Sequence, residues 1–226
     1  MLNTPRSTWG IQDLSKSRAL LKLVKELEDE NFKIILQTRA GLDYFKPDLQ
    51  KAKIQLAAVT AMMDDIDPGN LYSPEIIHVV SYCEALFLAT PDILNDSIKI
   101  TREALRRYRK LKKSGLAPNV KTDDIYSRTL ELEKAAKGII RAMEENIPNL
   151  YSPEGFYIAF VAGWLPVPEL WSDSKEFLYA KDWETQISNG GIHLAEGGIV
   201  LPIETRINKC ISNIPEAQYI LTHKYL

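Results

Sequence analysis

The sequence predicts a helix-rich α/β protein, with strand–helix units and parallel strands first and a small α+β region with a β-hairpin after them. Three observations carry this expectation. Residues 76–80 hold a compact β-branched run, Ile76, Ile77, Val79 and Val80, of the kind that fills a parallel strand covered on both faces. Strand-like and helix-like segments alternate between residues 32 and 113, and strand–helix–strand order implies a right-handed crossover joining parallel strands. Further on, two apolar runs flank Ala195-Glu-Gly-Gly198, a hairpin signature with a glycine turn.

The totals fit a globular chain. Its 226 residues suffice for one large domain or two small ones. Apolar residues make up 45% and charged residues 26%, an ordinary balance for a protein that folds in water. A formal net charge of -2 creates no global field to draw nucleic acid or an anionic membrane. Cys83 and Cys210 lack metal-site spacing and make no disulfide framework, which points to a reducing compartment. No run reaches transmembrane length, and residues 1–6 contain no apolar signal core, so a cytoplasmic location is expected.

After a polar lead carrying Trp9, residues 15–30 read as an amphipathic helix with Leu20, Leu23, Val24 and Leu27 on its apolar stripe. Phe32 to Gln37 reads as a short strand, left through a Thr38-Arg-Ala-Gly-Leu42 loop in which Gly41 permits the turn. Pro47 and Asp48 suit the start of a helix reaching Ile66, with Leu49, Ala52, Leu56, Val59, Met63 and Ile66 inward. Asp67-Pro-Gly-Asn70 stops it. The β-branched run comes next, turning polar at Ser81, Tyr82, Cys83 and Glu84. A rival reading makes Ser73 an N-cap and Pro74 the first residue of a buried helix, and periodicity does not separate the two.

Thr90-Pro-Asp92 opens the next helix with a hydroxyl cap, proline at the first position and an acid facing the dipole. Leu94, Ile98, Thr101, Leu105 and Tyr108 mark its inward stripe, and its tail from Arg102 to Lys113 is basic. Ser114-Gly-Leu-Ala-Pro118 ends it, dividing a βα-unit region, 1–115, from a helical and hairpin region, 116–226. Asp123 and Asp124 open a helix to Asn146 whose apolar face holds Leu130, Ala135, Ile139, Ile140 and Met143. Residues 149–154 repeat residues 70–75 as Asn-Leu-Tyr-Ser-Pro-Glu, read as shared element-starting chemistry rather than duplication. Phe156 to Trp164 reads as a short buried helix with Pro166 and Pro168 at its exit, and a helix over 204–213 closes the chain.

In open α/β sheets and α/β barrels, ligands bind at the carboxyl ends of the strands. Cys83 and Glu84 come after one expected strand beside Tyr82, as a nucleophile or general base would. The bland alternative is a small buried Cys83 and a loop-capping Glu84. Gln37, Thr38 and Arg39 come after the other strand, and the planar fork of Arg39 suits a substrate carboxylate or phosphate, or equally a surface or subunit-facing ion pair. If both strands share one sheet, Arg39 and Glu84 share a rim. The basic tail most simply answers its helix dipole, with Tyr108 the one aromatic beside it, so nucleic acid is not the expected partner. His78, His193 and His223 are scattered and show no metal spacing. No glycine-rich phosphate loop stands at a strand-to-helix junction. Trp164, Trp171 and Trp183, near prolines, read as core or interface anchors.

Residues 34–42, Gln55-Leu-Ala-Ala58, residues 76–85 and Ala89 to Ile100 form a further pattern when taken together. They resemble the last βα units of the barrel component of cobalamin-dependent, glutamate-mutase-like enzymes. Trp164-Leu-Pro-Val-Pro168 and Asn189-Gly-Gly-Ile192 resemble the small domain after the barrel in some of those chains. The resemblance implies partial (β/α)-barrel-like units and a radical carbon-skeleton rearrangement, with a separate cobalamin domain supplying the radical. The chain departs from that pattern: a closed barrel needs eight strands, and only two parallel strands are visible. It also lacks an Asp-x-His-x-x-Gly cobalamin-ligating signature, so no family catalytic residue carries over. The resemblance therefore implies one subunit of a split isomerase, binding no cofactor by itself, with cobalamin arriving through a protein partner that completes the barrel. The alternative is a non-catalytic helical adaptor that binds a protein partner or forms a homo-oligomer.

Overall fold

A computed structural model describes residues 10–39, 45–117, 122–167, 175–189 and 191–225. The expectations at Trp9, Gly41, Leu42, Pro118, Pro168, Trp171 and Gly190 lie outside these residues. The protein is helix-rich, with a two-stranded parallel sheet and a three-stranded antiparallel sheet. No helix among the described residues is long and apolar enough to cross a membrane. The chain forms two compact units, Met1–Glu133 and Lys134–Leu226.

In the first unit, α1 (Gly10–Lys25) begins and ends earlier than its sequence pattern suggests. Its buried face is Leu14, Ser15 and Ala19, while Leu20 and Leu27 of the expected stripe are exposed. Small residues let this face come close to a neighbour, and the Ser15 hydroxyl donates to the Ile125 carbonyl at 3.2 Å. The expected strand at Phe32 lies further along, as β1 (Gln37–Arg39), so Thr38 and Arg39 belong to a strand instead of a loop.

The next helix, α2 (Leu49–Met63), matches its pattern closely. Asp48 caps it, accepting from the amides of Gln50 and Lys51. Ala52, Leu56, Val59 and Met63 are buried, joined in one core by Leu14, Phe45, Ile66, Val80, Tyr82, Cys83 and Ile125. Burying each large aliphatic side chain contributes about 1.5–3 kcal/mol. Beyond α2, β2 (Ile76–His78) runs parallel to β1, with Gln37, Thr38 and Arg39 opposite Ile76, Ile77 and His78.

That strand corrects an expectation. It stops at His78, before Val79 and Val80, and it is not covered on both faces, since Ile76 is 46% exposed. The core receives Val80 from beyond the strand, and Ile77 packs against it only partly buried. Then α3 (Pro91–Lys113) starts as predicted, the Thr90 hydroxyl accepting from the Ile93 amide. Its inward residues are Ser97 and Thr101, and Leu94 and Ile98 face outward, because small side chains occupy the face packed closely on α2.

The chain's two units divide inside α4 (Thr122–Asn146), downstream of the expected boundary at Ser114. The first half of α4 is held in the first unit by buried Ile125 and by a Lys22–Glu133 ion pair at 2.6 Å. In the second unit, α5 (Pro153–Val161) buries Ile158, Ala159 and Val161 but exposes Phe156. A short α6 (Leu178–Lys181) leads to β3 (Glu184–Ser188), β4 (Gly191–Glu196) and β5 (Ile199–Val200), ordered β3-β4-β5. Gly197 and Gly198 make the predicted turn with positive φ angles of 56° and 76°. The last helix, α7 (Ile203–Tyr225), continues through Pro215, well past its expected end. Its residues Cys210, Ile214 and Ala217 are buried beside Trp164 and Trp183, and that packing outweighs the hydrogen bond proline forfeits.

The repeated hexapeptide takes two structures. At 70–75 the Ser73–Pro74 peptide is cis and the chain enters β2, which rules out the helix reading. Glu75 reaches across to the residue before β1, accepting from the Leu36 amide at 3.0 Å. At 149–154 Ser152 caps α5 by accepting from the Gly155 amide, and Pro153 takes the first helical position. The next residue decides: Gly155 allows a tight return that a side chain would block. A Cβ there would lie 2.2 Å from the Asn149 carbonyl oxygen and 2.7 Å from Leu150 Cα. Gly155→Ala should therefore destabilise by about 1–3 kcal/mol. Gly138→Ala, inside α4 with open space around it, should stabilise by about 0.5–1 kcal/mol. Urea unfolding midpoints of both variants check the pair of signs.

Candidate functional site

The residues Gln37, Thr38 and Arg39 line one side of a groove of about 280 Å³. Leu20, Leu21 and Val24 of α1 form the facing wall, and Ile34, Ile35, Leu36 and Ile66 complete an apolar lining. Two polar atoms on it are sheltered from solvent without hydrogen bonds, the Thr38 hydroxyl oxygen and Arg39 Nε. Thr38 is only 4% exposed. Among the described residues Arg39 has no ion pair, and its Nε has no hydrogen bond.

Strand geometry sets which backbone groups remain open. The Ile76 amide donates to the Leu36 carbonyl at 3.2 Å, so the peptide groups of Leu36 and Thr38 face β2. Those of Gln37 and Arg39 then face the opposite edge, where no strand is paired among the described residues.

Tyr82, Cys83 and Glu84 lie in a turn after β2 and differ sharply in environment. Cys83 is fully buried, its thiol 3.3 Å from the Ser81 hydroxyl and 3.6 Å from the Phe87 carbonyl oxygen. Glu84 is exposed, and its amide closes the turn onto the Ser81 carbonyl at 3.1 Å. No hydrogen bond or ion pair joins Glu84 to Arg39. Tyr82 is buried and donates to Asp96 at 3.2 Å, while Lys53 pairs with the same carboxylate at 2.8 Å and sits 4.8 Å above the Tyr82 ring. The Lys53 hydrogen bond holds the Asp96 carboxyl below its ordinary range, assisted by Tyr82, and the same bond holds the Lys53 ammonium above its own.

This Lys53–Asp96–Tyr82 cluster escapes a reading of the sequence, because its members come from α2, α3 and the turn. The basic tail of α3 likewise splits in two. Arg109 and Lys112 pair with buried Asp64, Lys112 also with Asp65, and Tyr108 donates to Asp65. Arg106 and Arg107 both hold Glu103, pushing its carboxyl down to about 2. Arg102, Lys110 and Lys113 have no such partner among the described residues and line a wider groove of about 510 Å³ with Leu105, Arg106 and Arg109. Of the histidines, His78 is exposed on β2, and His193 and His223 approach the carbonyls of Ser188 and Tyr219. Among the described residues no three His, Cys, Asp or Glu side chains are grouped to hold a metal ion.

A scan against protein-family models finds no match, and no curated protein matches the sequence.

Two outcomes are expected from these environments. A thiol-specific reagent at pH 8 should modify neither cysteine in the native protein and both after denaturation. Both side chains are buried, and burial pushes the Cys210 thiol up to about 11. Secondly, Lys53→Met should return Asp96 to a higher titration midpoint, monitored by the carboxyl-carbon NMR signal. The Asp96 contribution to stability is present above the ordinary aspartate range and is lost as pH falls through the depressed value.

Proposed function

We propose that the chain is an assembly subunit whose parallel β1–β2 pair is completed by a protein partner. One observation carries the reading: a parallel pair, normally buried inside a larger sheet, lies here with an uncovered strand face. Exposed apolar residues cluster along the chain on either side of β2. Leu71 and Tyr72 precede it, Ile76 lies in it, and Leu86, Phe87 and Leu88 come after, Leu88 being 94% exposed. Such side chains in contact with water are what a partner's surface would cover.

Of the two kinds of assembly considered, the adaptor fits the candidate residues better. Cys83 is enclosed and Tyr82 is engaged with Asp96, and the Glu84 side chain has no hydrogen bond or ion pair among the described residues. The split-enzyme reading, in which the partner brings the remaining barrel strands and cobalamin, draws on a different observation. The β1–α2–β2 order is a parallel crossover of the kind found in barrels and open sheets alike, and Arg39 lies at its strand end with no partner of its own among the described residues.

The experiment is the native mass of the untagged protein isolated from its own cells, with an absorbance spectrum of the same sample. We expect a second protein at fixed stoichiometry, retained about tenfold less well by an Ile76→Asp/Leu88→Asp variant whose circular dichroism is unchanged. A corrinoid spectrum in that complex would favour the enzyme subunit, with loss of turnover in Glu84→Gln as its check. A colourless monomer or homodimer overturns the proposal.

A further inference from the structure

We propose that the groove between α1 and β1 receives an extended peptide segment of the partner, which pairs with the open edge of β1 and sets a carboxylate on Arg39. This inference rests on the assembly reading above and specifies its contact.

Three features of the groove converge on such an occupant. The peptide groups of Gln37 and Arg39 point at the edge with no strand beside them among the described residues, and an added strand supplies their hydrogen bonds. Small carboxylate ligands would answer Arg39 but leave those peptide groups unmet. The walls are aliphatic, from Leu20, Leu21 and Val24 on α1 to Ile35 and Ile66, and so suit alternate apolar side chains of an extended chain. Leu20 and Ile35 are largely exposed, which leaves them surface to bury on docking.

The third feature is polar and sets the chemistry. Arg39 carries its positive charge at the rim with no acid paired to it among the described residues, and its Nε is already out of water without a bond. A carboxylate matches a guanidinium fork in charge and geometry, and a charge-assisted bond there restores what burial removed. The sheltered Thr38 hydroxyl adds a neutral partner for the segment's backbone or side chain. Residues 34–39 offer about 20 Å of wall at roughly 3.3 Å per residue, so the segment in contact is about six residues long. Its expected pattern is alternating apolar residues with an Asp, Glu or terminal carboxylate at one end.

The test uses the full chain and a displayed library of random peptides about eight residues long. An enriched peptide is synthesised, and its affinity is measured by fluorescence anisotropy. The enriched set should alternate apolar residues and carry a carboxylate, and converting that carboxylate to an amide should weaken binding about tenfold or more. Arg39→Ala should give a similar loss, the two changes together little more than either alone, and Arg39→Lys a partial recovery. N-methylation of the peptide amides that face Gln37 and Arg39 should abolish binding, which a purely ionic contact would not require. Circular dichroism of the Arg39 variants, whose side chain makes no bond within the described residues, checks that the fold is intact.

No enriched peptide, no preference for a carboxylate, or unchanged affinity in Arg39→Ala overturns the inference. Self-association of the chain that Arg39→Ala abolishes also overturns it, by giving the groove to a second copy. The two readings fail separately. A partner complex that neither Arg39→Ala nor the peptide weakens leaves the assembly standing without the groove. A native monomer that binds the peptide leaves the groove without the assembly.

Discussion

A pair of parallel strands cannot cover its own faces, and the first unit depends on how far α2 covers them. Parallel strands need a connection long enough to return to the same end, and here α2 is that connection. Its buried residues Ala52, Leu56, Val59 and Met63 form the centre of the core, so the link between strands is also their support. Val80, Tyr82 and Cys83 reach that core from beyond β2, and Leu36 and Ile77 pack on it partly buried. With so few residues from the strands inside, the ladder is short. What α2 leaves uncovered is the strand face that carries Gln37, Ile76 and His78, and an edge of β1 with no strand beside it among the described residues.

The same helix anchors α3 through charge. Asp64 and Asp65, at the end of α2, accept Arg109, Lys112 and Tyr108 from the tail of α3. Asp64 is only 6% exposed, and a carboxylate so placed is tolerated because two cations answer it. Burial, with the Asp65 hydrogen bond behind it, raises the Tyr108 hydroxyl well above its ordinary range and keeps it a donor. This pairing changes the meaning of the basic run. Arg109 and Lys112, which in the sequence belong to one continuous positive tail, are structural cations, and Arg102, Lys110 and Lys113 are the ones left to solvent.

How legible each element is in the sequence depends on how local its signal is. The cap at Thr90, the inward face of α2 and the Gly197-Gly198 turn are set within a few residues and stand as read, while Asp48, expected in the first turn of α2, caps it instead. The misread elements are those whose environment comes from elsewhere. Leu20 and Leu27 make a plausible stripe in the sequence, but α1 ends before Leu27, and Leu14, Ser15 and Ala19 face the core, because small side chains permit the closer approach. Ser97 and Thr101 displace Leu94 and Ile98 on α3 for the same reason. Pro215 suggests an end to α7, yet packed residues on both sides of it carry the helix on. The hexapeptide shared by residues 70–75 and 149–154 makes the limit plainest. Identical residues enter a strand through a cis proline or cap a helix, according to the residues that come after them.

The candidate site divides along the same line. Six residues near two strand ends look equivalent as sequence, since each could present a polar group at a rim. Folding gives Cys83 to the core and the Glu84 backbone to a turn, in line with the blander of the two readings, while the Tyr82–Asp96 bond is not written in the local pattern. Gln37, Thr38 and Arg39 are different because they sit in an edge strand. Pleating aims alternate peptide groups away from β2, and the groove wall holds a hydroxyl and a guanidinium nitrogen without hydrogen bonds among the described residues. A strand that ends its sheet among the described residues, beside an aliphatic wall and a guanidinium that pairs with none of them, is the basis on which we propose recognition of another chain.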